Sequence, residues 1–388
     1  MCHIDPDIDS LPLNAELNKV RRLLRLCFCS FSKTLSPKRR LLNKAVFCLV
    51  CIYQIFNTLE IVYALSTLTL EATNMSNLLV RLAFSFQVTV SLYFVFDWQR
   101  KCKFRSFAAA IHQVQNSAGC IENRASLGRL LIVFRVFITL TIIFFAVLHL
   151  TFLLDVKLDA FSLRKFSSDI TKVLFLGWNF FCVVYSSFAS SIGIFMYSLF
   201  TYGAVLEARL FNNKLTALGK VTMSPTNLMN ELVERINEHG RLGKAVRELD
   251  GMCEVFAFLM LGSTIPVSAI TLLQLLGTRN MPLINFFMSV PLVAMNCMLL
   301  ISLTAIPAML HNVLDRSKHH LYGNLRVWQT FDKDVYVVAN SLATHLNQPD
   351  LGISVWGFAM VSKPLILTTI SVMVTCIAFL LELRKRPL

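Results

Sequence analysis

What most limits the folding of this 388-residue chain is a succession of apolar blocks, several at or beyond the roughly 20 residues that cross a hydrocarbon core. In lipid every backbone N–H and C=O must find its partner within the protein, so each block is an α-helix. Reading apolar runs against polar breaks predicts seven spans: Ala45–Leu68, Leu78–Asp97, Leu130–Leu153, Ile170–Phe200, Val255–Leu276, Ile284–Leu310 and Val361–Leu383. Charged residues make up 15% of the chain, against about a quarter in soluble domains. The expected fold class is all-α, a polytopic membrane protein with seven transmembrane helices.

Basic residues decide the expected orientation. They gather in segments 1–44, 98–129, 207–254 and 311–360, beginning with Lys19, Arg21, Arg22 and Arg25. The positive-inside rule then puts the N-terminus in the cytoplasm and, with an odd number of spans, the C-terminus outside. The Arg384-Lys385-Arg386 run opposes that rule. The sequon Asn74-Met75-Ser76, a candidate glycosylation site, falls in the first outer loop and supports it. The net charge of +14 is spread over these loops, without the basic stripe and interleaved aromatics of a nucleic-acid module. No nucleic-acid partner is expected.

The inner connections are long and helical. Leu232, Ile236, Leu242, Val246, Leu249 and Cys253 recur at helical spacing and run straight into the fifth span, while the fourth span continues through Thr201–Phe211 without a breaker. Helices thus project below the membrane and need partners there. The expected organisation is a cytoplasmic tail (1–44), a six-helix transmembrane bundle with helical inner loops (45–310), cytoplasmic helices (311–360) and a seventh helix with a short outer tail (361–388).

Enzyme chemistry finds no support in the residues. His311, His319 and His320 near Asp315 form the one histidine grouping and read as solvated, so no metal and no cofactor are expected. Of the 11 cysteines, none lies in an expected outer loop, and Cys27 and Cys29 read as plain reduced thiols, with palmitoylation the alternative. A G-protein-coupled receptor is excluded by the inside N-terminus and by the third span's ending, His149-Leu150-Thr151-Phe152, which lacks the acidic-Arg-aromatic triplet.

The last span carries the clearest functional pattern. Thr368, Ser371, Thr375, Ala378 and Glu382 follow at spacings that place them on one helical face, whereas Ile366, Ile370, Val374, Ile377 and Leu381 take others. Two readings compete: tight helix packing through small residues, or a pore wall in which hydroxyls and a ring of carboxylates replace ion hydration.

The stretch Gly357-Phe358-Ala359-Met360-Val361-Ser362-Lys363, and then Thr375-Cys376 followed by five apolar residues and Glu382-Leu383, resembles the seventh-helix signature of insect gustatory receptors. That signature is Thr-Tyr, five apolar residues and Gln-Phe. Thr375 matches, while Cys376, Glu382 and Leu383 stand for Tyr, Gln and Phe. The resemblance extends to length, inverted topology and long inner connections across nearly the whole chain. It implies a taste receptor in the plasma membrane of sensory dendrites. Such a receptor is a ligand-gated cation channel, a homo- or hetero-oligomer, usually a tetramer, with the seventh helices around the pore. It also implies a small-molecule tastant bound from outside among the second to sixth helices, with membrane lipid around the assembly. A gustatory-receptor-like accessory protein without channel activity is the alternative, with a secondary transporter behind it.

Within those helices the expected outer halves hold Phe84, Phe86, Phe144, Phe145, His149, Trp178, Phe181, Tyr185, Gln274 and Phe287, with Thr264 and Asn296 nearer mid-membrane as a floor. Aromatic walls with few hydrogen-bonding groups suit a small, partly apolar ligand. Glu60, inside the first span, has Arg81 one short loop away as an expected ion-pair partner.

Overall fold

The computed structural model describes residues 36–67, 72–101, 103–114, 120–154, 169–219, 224–277, 283–329 and 332–385. They form α1 (Pro37–Thr67), α2 (Ala72–Arg100), α3 (Lys103–His112), α4 (Cys120–Leu154), α5 (Asp169–Ala217), α6 (Pro225–Gly277), α7 (Leu283–Tyr322), α8 (Leu325–Trp328), α9 (Lys333–Leu346), the strands β1 (Ser354–Val355) and β2 (Ala359–Met360), and α10 (Lys363–Lys385). Among the described residues six helices are long and apolar enough to cross a membrane, and α10 adds a seventh apolar helix whose shorter apolar part is Lys363–Phe379. The all-helical polytopic architecture is as the sequence predicts.

Local chemistry sets the helix starts. α1 and α6 both begin Ser-Pro: the Ser36 and Ser224 carbonyls accept the first helical bonds from Arg40 (3.0 Å) and Leu228 (3.1 Å), and proline at the first helical position loses no needed N–H. At α9 the Asp332 carboxylate accepts from the N–H groups of Asp334 (2.9 Å) and Val335 (3.2 Å), a side-chain cap. Pro266 in α6 and Pro291 and Pro307 in α7 interrupt no helix. The segment 69–77, expected as a loop, is corrected by the early start of α2. No Gly or Pro lies between Ala72 and Asn77, so Asn74 falls in the first turn of that helix.

Helix α5 is the hub. It packs against α1, α2, α4, α6 and α7, and from Cys182 onward nearly every turn is buried. The core centres on one end of the bundle, where aromatic rings interlock across helices. Trp98 of α2 meets Phe256 of α6 at 5.2 Å, Phe256 meets Tyr197 of α5 at 5.7 Å, and Phe107 of α3 meets Phe200 at 5.3 Å. Polar tips are satisfied: the Trp98 indole donates to the Met252 carbonyl (3.1 Å) and the Tyr197 hydroxyl to that of Leu303 (3.2 Å). By contrast α1 turns Leu49, Ile52, Ile55, Phe56 and Leu59 outward, the surface of a lipid-facing helix.

At the same end α3 packs on the prolonged α6, α9 packs on both α6 and α7, and α8 packs on α9. The stripe foreseen on α6 is buried at Leu232, Leu242, Val246, Leu249 and Cys253, with Ile236 half-buried. Beside it the Glu238 carboxylate bridges the Lys214 ammonium of α5 and the Arg235 guanidinium of its own helix. His239 packs on Phe211 (5.5 Å) and on His345 of α9 (5.9 Å). Burial, reinforced by His345 and Arg247, pushes the His239 imidazole down from 6.5 to about 4.

Candidate functional site

The connection from α9 to α10 determines how the last helix is held. Residues 351–361 fold into a hairpin in which Ser354 pairs with Met360 and Val355 with Ala359. The turn puts both Trp356 (φ 49°) and Gly357 (φ 71°) in the left-handed region, where glycine is at ease and tryptophan is strained. Three residues of the bundle hold the hairpin. The Asp250 carboxylate of α6 accepts from the Ser354 N–H (2.6 Å) and hydroxyl (2.9 Å), the Trp356 N–H reaches the Glu254 carbonyl (3.3 Å), and His311 Nδ1 of α7 lies 3.1 Å from the Leu351 carbonyl. The Trp356 ring packs on Phe258 at 4.9 Å. Nothing in the sequence reading foresaw this hairpin. Its signal was the Gly352 and Gly357 punctuation around a short β-prone run.

From this fixed base α10 rises along α6 and α7. Val361 is buried, and Leu365, Ile366, Thr369, Met373, Ile377 and Leu381 are half-buried at four-residue spacing. Thr368, Ser371, Thr375, Ala378 and Glu382 are all exposed on the chain by itself. The helix is thus held to its own subunit by its aliphatic stripe, and the hydroxyl stripe faces elsewhere. Thr368 and Thr375 donate their hydroxyl protons to the carbonyls of Pro364 and Ser371 (both 2.9 Å). Their outward oxygens then act as acceptors, the polarity a cation needs.

The aromatic candidates divide. On α5, Trp178 stands 5.6 Å from Phe181, which stands 6.0 Å from Tyr185, a ladder of rings along one helical face. Tyr185 is buried, whereas Trp178 and Phe181 are exposed. Phe84, Phe144 and Gln274, on α2, α4 and α6, are half-buried, and Phe86 is exposed. The side chains of His149, Phe145, Phe287 and Asn74 lie outside the described residues, as do Cys27 and Cys29. Glu60 and Arg81 are both exposed at the surface of α1 and α2, and among the described residues no ion pair joins them. Of the histidine grouping, His311 holds the hairpin, His320 lies beside Thr216 (3.3 Å), and Asp315 pairs with Lys318 (2.6 Å), whose hydrogen bond keeps that carboxyl below its usual range.

Sequence reasoning missed a polar seam. Gln54 of α1 donates to Ser186 of α5, Ser85 of α2 donates to Gln54 (3.3 Å) and lies 2.7 Å from Thr58, and Gln87 of α2 donates to Thr264 of α6 (3.2 Å). These bonds join four helices at the middle of their apolar stretches, where side-chain amides and hydroxyls act as interhelical ties.

No family model matches the chain, and no curated protein matches its sequence. Solved structures do match. The insect olfactory receptor OR5 from Machilis hrabei in complex with eugenol superposes with a TM-score of 0.74 at 12% identity, over 96% of this chain and 98% of that one. A second structure of the same receptor gives 0.74 at 11% identity, over the same shares. Across that shared length the fold of this chain is that of an insect olfactory receptor.

Proposed function

We propose that the chain is a subunit of a ligand-gated cation channel of the insect chemoreceptor type, and by its seventh-helix signature a taste receptor. The observation that carries this reading is the exposed stripe of Thr368, Ser371, Thr375, Ala378 and Glu382, on a helix already held to its own subunit by the half-buried stripe from Leu365 to Leu381, with Leu367, Ile370, Val374 and Phe379 exposed beside it. A face of hydroxyl acceptors ending in a carboxylate is unfavourable against lipid. Copies of α10 around a wet axis resolve that conflict, most simply in a tetramer. The shared fold with an olfactory receptor solved with eugenol supports a small organic ligand. The Trp178–Phe181–Tyr185 ladder with Phe84, Phe144, His149 and Gln274 forms the proposed aromatic wall. The N-terminus is cytoplasmic in this reading, α9 and the lower parts of α5 to α7 are the anchor, and Asn74 faces outside.

Whole-cell recording in cells without endogenous chemoreceptors, over a tastant panel and with candidate partner subunits, tests the reading. Ligand-evoked cation current is the expected result. Absence of current with every ligand and partner favours the accessory protein instead. Glycosylation lost in Asn74→Gln, and a C-terminal epitope reached without permeabilisation, are expected from the orientation.

A further inference from the structure

Charge is unevenly spread over the segments between the apolar blocks. Residues 207–254 hold seven basic and seven acidic side chains, and residues 311–360 hold four of each. From Leu17 to Leu59, by contrast, nine Lys and Arg occur without one Asp or Glu, and residues 98–129 set six against Glu122 alone. Orientation in the membrane does not account for this, because the positive-inside rule counts Lys and Arg and is nearly indifferent to Asp and Glu. The fold puts the two unbalanced segments side by side. Lys38, Arg39, Arg40 and Lys44 occupy the first two turns of α1, Arg100 ends α2 and Lys101 follows it. One turn further into the apolar stretch of both helices, Phe47 of α1 stacks on Phe96 of α2 at 5.4 Å. Lys38, Arg39, Lys44 and Arg100 are exposed, and among the described residues none of them is in an ion pair, while Lys101 pairs with Asp97 (2.9 Å). Leu41 (70% exposed) and Leu42 (51%) stand among the cations, and Leu41 falls on the face of α1 that carries Ile52, Phe56 and Leu59 outward.

We propose that this corner of α1 and α2 docks the headgroup of a polyphosphorylated inositol lipid. A cluster of Lys and Arg at the membrane end of a spanning helix attracts anionic headgroups, and the density of this one selects among them. The cations from Lys38 to Lys44 lie within about 9 Å of helix, with Arg100 of the neighbouring helix beside them. Each phosphomonoester carries about −1.5 to −2 charges, so two on one ring concentrate far more charge than a phosphatidylserine does. Arg39 and Arg100 offer forked donors to phosphate oxygens, and Lys38 and Lys44 offer point charges. Leu41 and Leu42 commit the occupant to a lipid rather than a free phosphate, since exposed leucines between cations sit well at the boundary of headgroup and acyl chain. In the cell the inference rests on the cytoplasmic N-terminus of the proposed function, because the anionic leaflet is the inner one. It does not depend on conduction.

The test titrates the purified full-length protein, in neutral detergent micelles with phosphatidylcholine, against fluorescent phosphatidylinositol bisphosphate and reads anisotropy over protein-free micelles. Unlabelled phosphatidylinositol bisphosphate is expected to displace the probe at concentrations at least about tenfold below those of phosphatidylserine or of chain-free inositol trisphosphate. Lys38→Gln, Arg39→Gln and Lys44→Gln together are expected to weaken binding at least about tenfold, because each cation at a membrane surface contributes about fivefold. The charge-preserving set Lys38→Arg, Arg39→Lys and Lys44→Arg is expected to keep binding, as is Arg241→Gln with Lys244→Gln, two exposed cations of the balanced segment 207–254. No binding by the wild type, equal displacement by phosphatidylserine, or full affinity in the triple Gln variant overturns the site. Equal displacement by inositol trisphosphate makes the occupant a soluble phosphate and overturns the lipid. A loss shared by the charge-preserving set or by the Arg241 and Lys244 pair traces the effect to folding or to overall charge, and overturns the site as well. Current is not the readout, so failure here leaves the channel reading standing, and absence of ligand-evoked current leaves the docking site standing.

Discussion

The Asp250 carboxylate on α6 accepts both the backbone N–H (2.6 Å) and the hydroxyl (2.9 Å) of Ser354 at the root of the hairpin that leads into α10. A residue of the bundle thereby holds the base of the last helix, and Gly357 N–H closes the turn on the same hydroxyl (3.2 Å). Any shift of α6 at this level is passed to α10 through a charged acceptor.

Asp250→Ala removes both bonds and leaves the Ser354 N–H unmet, whereas Ser354→Ala removes the hydroxyl alone. Bonds to a charged group contribute about 1.5–3 kcal/mol, so Asp250→Ala is expected to cost that much and Ser354→Ala less. Hydrogen exchange across 351–361 checks this: protection falls in both variants, more in the first. In recordings, maximal current is expected to fall with little change in ligand potency.

Position 382 reports on the proposed pore. Glu382→Gln keeps the size of the side chain and removes its charge, so preference for divalent over monovalent cations is expected to drop by about twofold or more. Thr375→Val removes an outward acceptor and is expected to lower conductance. Reversal potentials in mixed-cation solutions measure both, and unchanged selectivity at position 382 excludes the carboxylate ring.

His239 gives a pH signature. Its imidazole is neutral in the fold down to about 4, while in the unfolded chain it protonates near 6.5. Between those values the unfolded state binds the extra proton, so stability is full above about 6.5 and falls as pH drops toward 4, by on the order of 3 kcal/mol. His239→Phe is expected to flatten that part of the unfolding-temperature profile against pH. A parallel slope in the variant counts against burial of a neutral His239.

Glu238 is the counter-ion of two cations. Glu238→Ala strands Lys214 and leaves Arg235 with the more distant Glu234 alone (3.7 Å), and is expected to cost about 3 kcal/mol. Replacing all three with Lys214→Met, Arg235→Leu and Glu238→Leu is expected to restore most of the unfolding temperature, because desolvation of the charges disappears with them. Thermal unfolding of the three single variants and the triple variant measures the difference.

Much of the fold was legible because lipid allows few solutions. The long apolar blocks demanded helices, and the periodicity from Leu232 to Cys253 located the extension of α6. The spacing of Thr368, Ser371, Thr375 and Glu382 anticipated one shared face. The rest depended on which helices are neighbours, which periodicity does not encode. Thr264 and Asn296 looked alike in sequence, yet Gln87 of α2 bonds to one and the other has no partner among the described residues. Glu60 and Arg81 lie one short loop apart along the chain, yet both stay exposed and no ion pair joins them. The hairpin escaped notice because its strands are two residues long and rely on Asp250, about a hundred positions earlier.

The 49 residues of α5 and the 53 of α6 run unbroken through both the apolar stretch and the anchor end. At 1.5 Å per residue the second is about 80 Å long, against the roughly 30 Å of hydrocarbon it crosses. Such a rod is a lever with unequal arms. A small angular change at its short arm becomes a larger sideways sweep at the tip of the long one, so the molecule has mechanical amplification in helix length alone.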